Sequence, residues 1–170
     1  WDDFSRDATG GAVKLGFPVF DDYSRALFVY RLEFTEIYDV SYFAADDIKE
    51  DEGKSTISSL TSSFMRDTTD YRLDPSKGSV TEASWELAGL GGDEKFSKYI
   101  LEYRHFWPAF LGTVVSAHGV VGYVHTFDSD EPPIDERFFL GGINTLRGFE
   151  PREVGPRDEN GDYTGGDMEA

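Results

Sequence analysis

The sequence predicts an all-β protein built from long antiparallel strands, of the kind that form a transmembrane β-barrel. Three observations favour this fold class. Apolar and polar residues alternate with a period of two through six segments, which is the spacing of a strand with one apolar face. Each segment runs for ten to fourteen residues, whereas strands of soluble proteins usually have about five or six. Short turns and long acidic loops tend to alternate between the segments, as they do in outer-membrane barrels.

The composition limits the classes of function. The chain has 170 residues, the length of one domain, and its 33 acidic and 16 basic side chains give a net charge of −17, which argues against a nucleic-acid partner. It has no cysteine, so a disulfide framework and a thiolate metal site are excluded. No run of apolar residues is long enough for a transmembrane helix. A barrel is still allowed, because its strands bury only alternate residues in lipid.

The first two strands are predicted from simple alternation. The six predicted strands are 11–20, 26–38, 55–66, 79–89, 96–107 and 113–126. The first has an apolar face that begins at Val13, and we place Pro18 near its end because proline cannot donate to a sheet ladder. The second is the clearest strand, since every even position from Phe28 to Phe34 is apolar or aromatic.

The remaining four strands are separated by recognisable turns. The third is less apolar and leads into a turn at 67–78, where Pro75 fixes φ and Gly78 closes the turn. In the fourth and fifth strands aromatic residues alternate with charged ones, as Trp85 does with Glu86. The sixth alternates valine, alanine and tyrosine with serine, histidine and glycine. We therefore predict one antiparallel sheet.

The alternation assigns each side chain to a face, since a slip of one residue would reverse all of them. The residues predicted to share the lipid face are Phe28, Tyr30, Leu32, Trp85, Leu101, Tyr103 and Tyr123. The candidate lumen-facing residues are Glu82, Glu86, Glu102 and Arg104. Charges of both signs suit a wet lumen. A soluble antiparallel sandwich with one solvated face would show the same alternation and remains the alternative.

The sequence contains no complete motif for catalysis, cofactor binding or metal binding, so we expect that the protein is not an enzyme. The Gly53–Ser55 stretch lacks the earlier glycine of a phosphate-binding loop, and 89–92 lacks the third glycine of a dinucleotide fingerprint. The three histidines show no metal spacing. The acidic turn at 158–162 lacks the twelve-residue ligand pattern of a calcium loop. No catalytic residue and no metal ligand is assigned.

The candidate functional stretch runs from Phe138 to Phe149. Its functional loop motif comprises Gly141, Gly142, Leu146, Arg147, Gly148 and Phe149. We call Leu146–Phe149 the arginine motif. Gly148 allows backbone conformations closed to other residues, so Arg147 can be aimed. A guanidinium offers a rigid fork of donors that suits a fixed carboxylate. Taken alone, the pattern also fits a glycine-rich hairpin tip with its arginine in solvent.

The context of this stretch resembles one known family. From Glu136 to Phe149, and then at Gly155-Pro156 and Gly165-Gly166, the sequence closely resembles the sixth extracellular loop of the BamA family of outer-membrane barrel-assembly factors. Leu146 replaces the valine or isoleucine that is usual before the R-G-F of that family. The 14–18 stretch and the 67–78 turn also resemble segments of the family's barrel. The resemblance covers nearly the whole chain.

The resemblance implies a fold and a function. It implies that the six strands are strands six to eleven of a sixteen-stranded barrel in the bacterial outer membrane. That barrel would fold and insert other β-barrel proteins without a cofactor. The implied partners are the lipid bilayer, unfolded outer-membrane protein substrates and, through POTRA domains, periplasmic assembly lipoproteins. The loop would tuck into the lumen, where Arg147 would pair with an acidic residue on a later strand.

The resemblance also implies a place in a longer protein. We expect 1–170 to be a partial C-terminal barrel domain with its long loop at 127–166, and the POTRA domains and closing strands to lie outside it. The nearest alternative function is that of a TamA-like protein or a two-partner secretion polypeptide translocator, since both share the arginine motif. A passive channel and a soluble acidic β-sheet binding module are more distant alternatives.

Overall fold

The chain forms one antiparallel sheet in sequential order. The computed structural model describes residues 5–40, 52–128, 132–133, 136–142, 145–157 and 163–169. Its strands are β1 (Ser5–Pro18), β2 (Ser24–Tyr38), β3 (Gly53–Asp67), β4 (Gly78–Ala88), β5 (Phe96–Pro108), β6 (Val114–Thr126) and the short β7 (Met168–Glu169). A single 3-10 turn, Phe110–Gly112, joins β5 to β6. Nowhere in these ranges is there a helix of the length and hydropathy needed to cross a membrane.

The prediction of six antiparallel strands in one sheet is confirmed. Most strand ends lie within two residues of the predicted ones, but β1 begins six residues earlier, at Ser5 rather than at 11. Residues 5–10 pair with Glu33–Tyr38 of β2. They lack apolar alternation, so only the pairing partner specifies them as strand. The predicted end of the first strand was too late, because Phe20 takes a positive φ of 66° in the turn to β2.

The register gives the sheet two chemically different faces. One continuous row across it pairs Phe28, Ser62, Trp85, Tyr99 and Tyr123 in turn. The seven aromatic and aliphatic residues predicted to share a face therefore lie on one side, which we call the aromatic face. The four candidate lumen-facing residues lie on the opposite side, which we call the inner face. That this second face lines a lumen stays a prediction.

The aromatic face is open to its surroundings. Half of the surface of Leu101 and of Val121 is exposed, at 50% and 52%. Trp85 and Tyr99 stack at a centroid distance of 6.5 Å and are similarly exposed. An apolar surface of this extent is an aggregation liability in water. An apolar face of this kind is the one that lipid chains cover in a transmembrane barrel.

The buried core is small and lies on the inner face. Its cluster across β3 to β6 comprises Ile57, Ala88, Phe96 and Val124, with Phe138 packed against it from the loop that follows β6, and Ile37 of β2 is also buried. Its four strand residues lie on β3, β4, β5 and β6, close to the ends where the long connections leave the sheet. The core therefore marks the place where this loop meets the wall formed by the strands.

The opposite end of the sheet carries the short turns. In the predicted turn between β3 and β4, Ser76 donates to the Asp70 carboxylate from its hydroxyl and, at 2.9 Å, from its backbone N–H. The hydrogen bond from the Ser76 hydroxyl, followed by its backbone bond, lowers the pKa of Asp70. Gly78 closes the turn with a φ of 103°, and a Cβ there would lie 2.4 Å from the Thr68 carbonyl oxygen. This end of the sheet is thus tightly specified by local hydrogen bonds.

Candidate functional site

The loop after β6 folds back on itself over the inner face. Phe138 and Gly166 exchange two backbone hydrogen bonds of 2.8 and 2.9 Å, and Leu140 pairs in the same way with Val154. The chain then returns to the sheet, where β7 pairs with Gly122 and Tyr123 of β6. We call the described part of this segment, from Glu136 to Asp167, the inner loop. The acidic turn predicted at 158–162 lies outside the described residues.

Phe138 docks the inner loop onto a niche in the wall. A Cβ on Gly122 would lie 2.5 Å from the Phe138 ring, so glycine is required where the ring crosses β6. The Lys98 ammonium on β5 lies 5.0 Å from the centroid of the same ring, within the range of a cation–π contact. Because Gly122 and Lys98 are on the inner face, this contact fixes the face on which the loop lies.

We expect Gly122→Ala to destabilise the folded protein by about 1–3 kcal/mol, as extra atoms in a packed contact usually do. The added methyl would overlap the Phe138 ring, so either the ring or the inner loop must move. The measurement is the free energy of unfolding in urea for the full-length protein in vesicles. Gly119→Ala is the matched control, because the same strand offers open space at that position. Equal unfolding free energies for the two variants would contradict the niche.

A second charged contact buries the base of the inner loop. Glu136 is 6% exposed, and its two carboxylate oxygens bind different strands. Arg31 of β2 donates to Oε1 at 2.8 Å, and Lys98 of β5 donates to Oε2 at 3.1 Å. Arg31 also donates to Glu86 of β4 at 2.7 Å, and the Ser59 hydroxyl of β3 donates to the same Glu86 oxygen at 2.6 Å. We call these five residues the Glu136 cluster.

Arg137 joins the two limbs of the inner loop to each other. It is 9% exposed and donates from Nε to the Pro132 carbonyl at 2.7 Å and from Nη1 to the Thr164 carbonyl at 3.2 Å. Next to it, the Phe139 ring fills the space beside Gly165, where a Cβ would lie 2.7 Å from the ring. Arg152 lies over the same ring, 4.3 Å from its centroid. The base of the inner loop is therefore a packed unit.

The glycines of the motif shape the path to Arg147. Gly141 and Gly142 have φ values of 117° and 87°, and a Cβ on Gly141 would lie 2.2 Å from the Glu150 carbonyl oxygen. The Thr145 hydroxyl accepts from the Gly141 N–H at 2.8 Å and closes the bend. Gly148 has a φ of 100°. A positive φ at this position is a conformation that other residues rarely adopt, as expected from the sequence for Gly148.

Arg147 itself is exposed. Neither an ion pair nor a hydrogen bond joins its side chain to any residue within the described ranges. Two carboxylates of the inner face already bind other side chains. Glu86 binds Arg31, and Glu102 binds Arg104 at 2.9 Å and His118 at 3.0 Å. The guanidinium is presented by the loop, with its donors available to a further group.

At the end of the sheet where the long loop leaves β6, the β4–β5 connection contacts both β3 and that loop. Asp93 and Glu94 of the β4–β5 connection bind the start of β3, where Asp93 accepts from the Thr56 N–H at 3.0 Å and Glu94 accepts from the Ser55 hydroxyl at 2.6 Å. Lys95 pairs with Asp128 at the start of the long loop, and this hydrogen bond raises the pKa of Lys95. These contacts hold the β4–β5 connection against the start of β3 and against the start of the long loop.

The Glu136 cluster is what sequence reasoning missed. Glu136 belongs to the stretch that resembles the family loop, but nothing in the sequence pairs it with Arg31 or Lys98. Its partners lie 105 and 38 residues away. The available signal was that both cations alternate with the aromatic residues of their strands, and so had to lie on the face opposite the aromatic one.

The comparison with known proteins agrees with this architecture. The model of the Omp85 superfamily domain matches residues 1–169. The chain is 36% identical over 173 residues to the outer membrane protein assembly factor BamA of Nitratidesulfovibrio vulgaris strain Hildenborough. This match covers 100% of the chain and 22% of that protein. It is 35% identical over 129 residues to the sorting and assembly machinery component 50 homolog of Bos taurus, covering 75% of the chain and 27% of that protein.

A solved structure shows the same fold. The crystal structure of BamA from Haemophilus ducreyi lacking POTRA domains 1–3 superposes with a TM-score of 0.80 at 21% identity, over 97% of this chain and 36% of that one. The chain thus spans between about a fifth and a third of the proteins it matches. The predicted resemblance and the predicted type of fold, a piece of an outer-membrane β-barrel, are confirmed. The chain belongs to the Omp85 superfamily.

Proposed function

We propose that this chain is the central wall of a barrel that folds and inserts β-barrel proteins into an outer membrane. The observation that carries the proposal is the inner loop, which lies on the inner face and presents Arg147 from a base fixed by Phe138 and Glu136. An arginine in solvent at a hairpin tip would need no such base. The names of the two relatives also support the proposal, since one is an outer membrane protein assembly factor and the other a component of a sorting and assembly machinery.

The proposed activity needs binding and geometry rather than covalent chemistry. The aromatic face would contact lipid, and the inner face would hold the loop inside a barrel of sixteen strands. Unfolded outer-membrane proteins would be the substrates. Periplasmic assembly lipoproteins would bind through POTRA domains of the whole protein. Within the described ranges, no group of histidine and carboxylate side chains could hold a metal ion, and the proposal assigns neither a cofactor nor a catalytic residue.

Arg147 would act through an acidic residue on a strand outside 1–170. The planar guanidinium can bind a carboxylate with two parallel hydrogen bonds, which fixes its direction as well as its distance. Such a pair would hold the tip of the inner loop against the wall while the Glu136 cluster holds its base. The loop would then be fixed at both ends inside the barrel.

Depletion of the full-length protein in cells of its source organism tests the proposal. We expect the folded, heat-modifiable fraction of several unrelated outer-membrane barrels to fall together, while secreted soluble polypeptides still leave the cell. Restoring the full-length protein should restore all the barrels. A loss of one secreted polypeptide with normal barrel levels would instead indicate a translocator and would overturn the proposal.

A further inference from the structure

The Glu136 cluster joins parts of the wall that are not neighbours. Arg31 lies on β2 and Lys98 on β5, so β3 and β4 separate the two cations. Neighbouring strands are about 4.8 Å apart, so the two backbones are separated by roughly 14 Å along the sheet. Their long side chains nevertheless converge on the two oxygens of one carboxylate.

Glu136 is a counter-ion of both cations of the cluster. Among the described residues, Arg31 also pairs with Glu86 at 2.7 Å and lies 3.8 Å from Glu33, whereas the carboxylate that pairs with Lys98 is Glu136. The side chains of Glu136 and Lys98 are 8% and 17% exposed, so water does little to screen them. Two cations that converge in a partly buried site repel each other unless a carboxylate lies between them. Glu136 comes from the inner loop, so the position of the loop decides whether Lys98 is compensated by the carboxylate that binds it.

We propose that Glu136 is a positioning residue that couples the seating of the inner loop to the packing of the wall. With the loop in place, one carboxylate binds β2 and β5 and holds Phe138 over the Gly122 niche two residues further on. When the loop leaves, Arg31 and Lys98 lose their shared counter-ion. This deepens the proposed function, since it names the contact through which the arginine motif is held at the right place in the barrel.

A loop-mobility measurement on the full-length protein in vesicles tests the coupling. Glu136→Gln keeps the size of the side chain and removes its charge. We expect tryptic cleavage after Arg147 to become roughly tenfold faster, since the loss of a buried charge pair makes local opening of the loop easier. Glu153→Gln is the matched control, because Glu153 is an exposed carboxylate of the same loop. Only protein that retains the heat-modifiable, folded form is compared.

A double-mutant cycle separates the pairing from a general packing role. Lys98→Gln alone removes one partner of Glu136, whereas Glu136→Gln with Lys98→Gln removes both charges of that pair. We expect the double variant to be cleaved at a rate within about threefold of that of Glu136→Gln, because a coupled pair shows non-additive effects. Spin labels at Ser116 on the wall and Glu150 on the loop should report the same order, with a broad distance distribution in Glu136→Gln that broadens no further in the double variant.

Each outcome is decisive for the coupling. Unchanged cleavage and an unchanged distance distribution in Glu136→Gln would overturn it, as would effects of Glu136→Gln and Lys98→Gln that simply multiply in the double variant. Because these measurements follow the loop and not a substrate, they are independent of the proposed function. A mobile loop in a protein with normal barrel-assembly activity would support the coupling while contradicting the role assigned to the loop.

Discussion

Arg147→Ala in the full-length protein is expected to slow the assembly of a model β-barrel substrate in liposomes by at least about tenfold. We expect the guanidinium, which follows a fixed loop base and precedes Gly148, to bind a group that the described residues do not provide. Removing one partner of a buried, hydrogen-bonded charge pair typically costs about 3–5 kcal/mol, of which about 1.4 kcal/mol already corresponds to a factor of ten.

The conservative variant tests the geometry of that pair. Arg147→Lys keeps the charge but lacks the planar fork, so we expect it to restore only part of the rate. Arg72→Ala is the control, because Arg72 lies in the β3–β4 turn with a side chain that is 68% exposed and pairs with Asp67. A surface pair of this kind contributes at most about 1 kcal/mol. Wild-type activity of Arg147→Ala would show that the arginine motif is an ordinary surface hairpin.

Leu101→Arg is expected to destabilise the barrel by about 2–4 kcal/mol, the usual cost of a cation on the lipid face near the middle of a bilayer. Leu101 lies between Ala83 of β4 and Val121 of β6 on the aromatic face. The measurement is the free energy of unfolding in vesicles at several urea concentrations.

Ser84→Arg provides the matched change on the opposite face. Ser84 pairs with Ser63 and Ile100 on the inner face, so an arginine there can extend into water and should cost clearly less than Leu101→Arg. The reverse order, or equal costs, would show that the aromatic face does not face lipid. It would favour a soluble sheet instead.

The fold was predictable because an alternation of apolar and polar residues with a period of two indicates a strand from local sequence alone. In β2, β5 and β6 nearly every second residue is apolar, so the strands and their faces follow from local sequence alone. Residues 5–10 of β1 were not predictable, since Ala8, Thr9 and Gly10 offer no alternation. There the pairing with β2 decides the structure, and Gly10 lies so close to it that a Cβ would come within 2.3 Å of the Leu32 carbonyl oxygen.

The candidate site was predictable in part, for a different reason. The arginine motif is contiguous, so its glycines and Arg147 could be recognised as one unit. The Glu136 cluster is assembled from four strands and a loop, and its members are brought together only by the register of the whole sheet. A charge that is compensated by residues up to 105 positions away leaves no local pattern. Ion pairs between residues so far apart in sequence become visible only in the folded structure.

The protein that contains this wall is proposed to assemble β-barrels. The most direct measurement is the folding of an unfolded model barrel added to liposomes that contain the purified full-length protein, followed by heat-modifiability and protease protection over time. We predict that the substrate becomes folded and membrane-inserted much faster than in protein-free liposomes of the same lipid composition. Equal rates in the two preparations, with the reconstituted protein shown to be folded, would contradict the claim.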